Sequence, residues 1–71
     1  MEYKVLVDNL VLYDASTGID VATLKKGDKI IVENIEPGKD HDIAYVRLNT
    51  YVYSRYRDKP YIEKVTKKKK G

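Results

Sequence analysis

The 71-residue chain predicts an all-β fold, a small barrel of five or six short antiparallel strands followed by a disordered basic tail. Short runs rich in Val, Ile and Tyr recur along it, many alternating apolar with polar residues. No apolar pattern repeats at the helical period over the length a stable helix needs. Gly, Pro, Asn and Asp punctuate the runs at short spacing, and several short strands leave the fewest edges open when they close, or nearly close, on themselves.

The strand runs cover residues 3–7, 10–13, 21–24, 29–35, 43–48, 50–54 and 61–65. Ser16-Thr17-Gly18 separates the second from the third, and Lys26-Gly27-Asp28 turns the chain into the fourth. Glu36-Pro37-Gly38 suits a type II turn, in which Pro37 fixes the first central residue and Gly38 accepts positive φ at the second. Asn49-Thr50 makes the next break. Asp58-Lys59-Pro60 is expected to interrupt pairing, because Pro60 has no amide proton to give to a ladder. Residues 1–65 therefore form one domain, and the like-charged residues 66–71 form the tail.

So short a chain buries only about 60% of the surface its unfolded form exposes, which leaves no room for a deep cavity and places function on the surface. With no Cys there is no disulfide framework and no Cys-based zinc site, and the composition fits a reducing compartment. The chain opens without a basic segment and long apolar run, and no run reaches membrane-spanning length, so a cytoplasmic location is expected. The formal net charge of +3 conceals a division along the chain: residues 1–40 carry −3, residues 41–66 carry +2, and Lys67, Lys68, Lys69 and Lys70 carry the rest. An acidic first half facing a basic, tyrosine-bearing second half points to an anionic partner.

The motif order Leu12-Tyr13-Asp14-Ala15, Thr23-Leu24-Lys25-Lys26-Gly27-Asp28, Tyr45-Val46-Arg47-Leu48 and Pro60-Tyr61-Ile62-Glu63 resembles the Src-homology-3 domain, nearest to its bacterial type. The resemblance covers roughly residues 5–65 and implies a small barrel with a binding role. It also implies that Tyr13 and Tyr61 stand at groove-lining positions. The chain has no Trp, and Ala15 stands where a second Tyr is usual, so the resemblance implies no particular ligand.

Tyr51-Val52-Tyr53-Ser54-Arg55-Tyr56-Arg57 concentrates aromatic and cationic side chains. On a strand, Tyr51, Tyr53 and Arg55 project to one face, and Val52, Ser54 and Tyr56 to the other, with Tyr56 in the core or half-buried. Rings on the first face can stack on bases or on proline, and Arg47, Arg55 and Arg57 can pair with phosphate or carboxylate. The same rings are also an ordinary amphipathic covering for a barrel. Asp40-His41-Asp42 sets an imidazole between two carboxylates, but with a single His and no Cys it reads as a loop imidazole titrating in solvent. Neither Ser16 nor Ser54 sits in a nucleophile motif, and no spacing singles out an acid–base pair.

The expectation is therefore a non-enzymatic, cofactor-free module. It binds a protein or peptide segment, acidic in character, through Tyr13, Arg47, Tyr51, Tyr53, Arg55, Arg57 and Tyr61. The alternative is nucleic-acid binding through the same face, with Lys67 to Lys70 adding sequence-independent affinity.

Overall fold

A computed structural model describes residues 1–66, so Lys67 to Lys70 and the expected disorder of the tail beyond Thr66 lie outside the described residues. The described residues are all-β, with eight strands rather than the five or six expected: β1 Glu2–Val5, β2 Leu10–Asp14, β3 Asp20–Leu24, β4 Lys29–Glu36, β5 His41–Val46, β6 Thr50–Tyr56, β7 Lys59–Pro60 and β8 Ile62–Lys64. All pairings are antiparallel, in the order β3-β2-β6-β5-β4-β1-β8, with β7 added to β6. β4 serves two neighbours: residues 29–31 pair with β1, and Val32 onward pairs with β5 across a register shift at Glu33.

Alternation explains the core. Ile30 and Val32 on β4, Ala44 on β5 and Val52 on β6 point inward, and they meet Val5, Leu10 and Ile62 in a single cluster. Val5, Ala44 and Val52 are wholly buried. The members come from β1 and β8 at one end of the sheet path and from β2 near the other, so strands from both ends share one core. Among the described residues no helix is long and apolar enough to cross a membrane.

Several turns differ from expectation. Gly27 has φ +97°, the left-handed backbone its turn requires, but Gly38 is not left-handed. Gly38 is needed for a different reason: a Cβ placed there would strike the carbonyl oxygen of His41. Pro60 does not interrupt pairing. It sits opposite Arg55 on an added edge strand, and the amide of Tyr61 supplies the next bond, to the Ser54 carbonyl at 2.9 Å. β5 stops at Val46 rather than Leu48, because residues 47–49 turn the hairpin with Leu48 at φ +68° and Asn49 at φ +59°.

Leu48 is 91% exposed while holding that left-handed backbone. It gains no burial in exchange for the strain. Leu48→Gly is therefore expected to raise stability by about 1 kcal/mol, the left-handed cost less the extra freedom glycine gives the unfolded chain. Thermal denaturation checks this, and a lower midpoint would show that the Leu48 side chain makes stabilising contacts after all.

Candidate functional site: a tyrosine face

β6 builds the face. Val52 and Ser54 are buried at 0% and 7% exposure, so Tyr51 and Tyr53 project outward, as the period-two pattern requires. Tyr51 stands opposite Tyr13 on β2 and opposite Tyr45 on β5. The rings make a continuous row. Tyr13 and Tyr51 stack at 5.2 Å between centroids, Tyr45 meets Tyr51 at 6.1 Å, and Tyr53 stands edge-on to Tyr13 at 5.7 Å. His41 closes the row, 4.8 Å from Tyr53 and nearly perpendicular to it. Such pairs contribute about 0.5–1.5 kcal/mol each beyond their burial, so the row is also part of what holds the sheet together.

Two turns fix the Tyr13 end. The Asp14 carboxylate accepts the amides of Ser16 at 2.7 Å and Thr17 at 3.3 Å, shaping the β2–β3 connection. Asn49 then ties the β5–β6 turn to it, donating from Nδ2 to the Ser16 hydroxyl at 2.7 Å while its carbonyl accepts the Ala15 amide.

At the other end a register shift changes what strict alternation would give. Tyr53 faces Ile43 and Arg55 faces Asp42, which leaves Ser54 as an additional residue on β6. Tyr56, opposite His41, is 46% exposed rather than in the core, and it joins His41, Tyr53 and Tyr61 in lining a hollow of about 210 Å³. His41 opens β5 and is half-buried against Tyr53, so it is not a loop imidazole in solvent.

Arg55 does not stand free beside the tyrosines. Its Nε and Nη2 donate to the Asp42 carboxylate at 3.1 and 2.9 Å, Nη2 also reaches the Gly38 carbonyl at 3.0 Å, and Nη1 bonds the Arg57 carbonyl. The forked guanidinium thus staples the 37–40 loop and the 57–58 turn to the sheet. Hydrogen bonds from Arg55 and then from the Gly38 amide hold the Asp42 carboxyl below the usual carboxylate range. The Glu36 carboxylate, 3.0 Å from the Tyr45 hydroxyl that donates to it, raises that phenol above its ordinary value. Arg57 has its guanidinium carbon 5.4 Å from the Tyr56 ring centre. Arg47 is exposed in the β5–β6 turn, at the Tyr45–Tyr51 end of the row.

Asp42 carries a pH prediction. A depressed folded value means that the ion pair adds stability above the unfolded value near 3.8, and that this contribution fades as pH falls through the lower folded value. Asp42→Asn should therefore unfold at lower urea than the parent at neutral pH, with the gap closing below about pH 3.8. A gap of constant size across that range would show that Asp42 acts by shape rather than charge.

Of the residues singled out by sequence, Tyr13, Tyr51, Tyr53 and Tyr61 come together, Arg57 flanks them, Arg47 lies at one end, and Arg55 is engaged within the chain. Tyr45, Tyr56 and His41 complete the face. Tyr45 has a sequence signal, since it sits at the outward parity of a strand adjoining β6. Tyr56 and His41 depend on the extra residue Ser54, which a single strand read alone does not reveal.

Comparison with known proteins finds no family model, curated protein or solved structure that matches this chain.

Proposed function

We propose that the chain is a Src-homology-3-like barrel acting as a non-catalytic module that takes an extended protein or peptide segment across its tyrosine face. The observation that carries this is the unbroken row Tyr45, Tyr51, Tyr13, Tyr53 and His41, ending in a hollow that Tyr56 and Tyr61 help to line. Half-buried rings fixed by their neighbours offer contact area with little side-chain entropy left to lose on binding. The single core shared by strands from both ends of the sheet path supports the barrel.

The geometry favours a peptide over nucleic acid. Stacking on bases needs cations beside the rings for the phosphates; Arg55 is balanced by Asp42, which leaves Arg57 at one end of the row and Arg47 at the other. The full chain carries +3, but without Lys67 to Lys70 the charge is −1, so attraction to a polyanion would rest on those four lysines rather than on the tyrosine face. The acid selection expected of Arg55 likewise has no free charge to act through.

The test selects peptides from a random display library against the protein, then repeats binding with Tyr53→Ala and with single-stranded DNA at two salt concentrations. The expected result is peptide binding that Tyr53→Ala weakens at least tenfold, as expected for a central aromatic contact of about 1.4 kcal/mol or more. Selected peptides that bind Tyr53→Ala unchanged would refute the face. Steeply salt-dependent binding of DNA, lost in Tyr53→Ala, would replace the peptide reading with the nucleic-acid one.

A further inference from the structure

The hollow at the His41 end differs from the rest of the row. The tyrosines at the other end touch ring to ring, whereas here only His41 and Tyr53 do, and with Tyr56 and Tyr61 they surround open space. Its volume of about 210 Å³ falls below the roughly 300–1,000 Å³ of sites that take whole small molecules, so it suits a single side chain or head group.

We propose that this hollow is a cation site, and that it takes the ammonium head of a lysine, free or methylated, on the segment bound across the tyrosine face. The inference rests on that reading for its partner but not for its chemistry. Tyrosine faces are electron-rich, and several rings around one space attract an ammonium or quaternary ammonium group more strongly than an uncharged group of equal size. One wall already shows this preference within the chain: the Arg57 guanidinium lies 5.4 Å from the Tyr56 centre, inside the roughly 6 Å reach of a cation–π contact. The neighbouring charges leave room for a cation. Arg55 is bound to Asp42 and Lys59, opposite Tyr56, is exposed at the sheet edge, while Asp40 and Asp58 make no ion pair among the described residues. Both lie close enough to favour the charged form of Arg55, so carboxylates border this end of the sheet.

Choline and its uncharged isostere, in which carbon replaces the quaternary nitrogen, separate charge from shape. Titrated into the protein and followed by NMR, choline should shift the ring resonances of His41, Tyr53, Tyr56 and Tyr61, and the isostere should shift them far less. Tyr56 is exposed enough for Tyr56→Leu to fold, and that variant should weaken choline binding about fivefold, the share of one ring of the set. Arg57→Gln should strengthen it, because an internal competitor and a like charge are both removed. Equal response to the two probes would show a merely apolar hollow and overturn the proposal, as would no response to choline, or weaker binding in Arg57→Gln. A protein that ignores choline but whose Tyr13 and Tyr51 resonances respond to selected peptides would lose the cation site and keep the tyrosine face. Failure of both would refute the face itself.

Discussion

Val52→Ala is expected to lower stability by about 2 kcal/mol, because it removes two methyl groups from a site with no means of collapsing around the gap. Val52 is wholly buried, sits opposite the equally buried Ala44 and belongs to the single core cluster. A chain of this length holds about 4–10 kcal/mol in all, so the loss is a large fraction and should lower the melting temperature by about 10 °C. The consequence extends to function. Val52 lies between Tyr51 and Tyr53, and its burial is what commits those two rings to the outside. Thermal and urea unfolding measure the effect, and a variant as stable as the parent would mean that β6 does not face the core as described.

Gly38→Ala is expected to cost about 1–3 kcal/mol although the position is exposed, because the added Cβ meets backbone rather than a flexible side chain. The His41 carbonyl can yield only if the 37–40 loop opens. Opening it strains two bonds at once: the Gly38 amide to Asp42 at 3.0 Å and the Arg55 guanidinium to the Gly38 carbonyl at 3.0 Å. The loss should be less than additive with Asp42→Asn, since the two changes disrupt one network. A double-mutant cycle in urea checks this. Full additivity would show that loop and ion pair act independently. The same variant should disturb the His41 and Tyr56 resonances while leaving Tyr13 and Tyr51 in place, because the Tyr13 end is secured by Asp14 and Asn49 instead.

The fold is legible in the sequence where one face of a strand is buried. Ile30 and Val32, or Val52 between two tyrosines, give a parity that only one orientation satisfies, and Gly27 marks a turn that needs positive φ. What alternation does not carry is the pairing between strands. The extra residue Ser54 exists only relative to β5, yet it decides that Tyr56 joins the outer face and that Arg55 meets Asp42. Gly38 shows the same limit. Its neighbour Pro37 makes a type II turn the local choice, whereas the actual constraint is contact with His41, three residues on. Pro60 could be read as a breaker from chemistry alone, but at a sheet edge its missing amide proton is no obstacle. The tyrosine half of the candidate site follows from composition and parity. The cationic half does not, because whether an arginine is free depends on which carboxylate the fold brings to it.

The footprint of display-selected peptides on the isotope-labelled protein, read from backbone amide and tyrosine ring resonances, locates the binding surface directly. Binding across the tyrosine face gives the largest shifts at Tyr13, Tyr51, Tyr53 and Tyr61, with Tyr45 and His41 marking the two ends of the footprint. Shifts centred instead on Lys4, Lys29 and Lys64, across the β4–β1–β8 part of the sheet, would contradict it and move the binding surface to the lysine-bearing side.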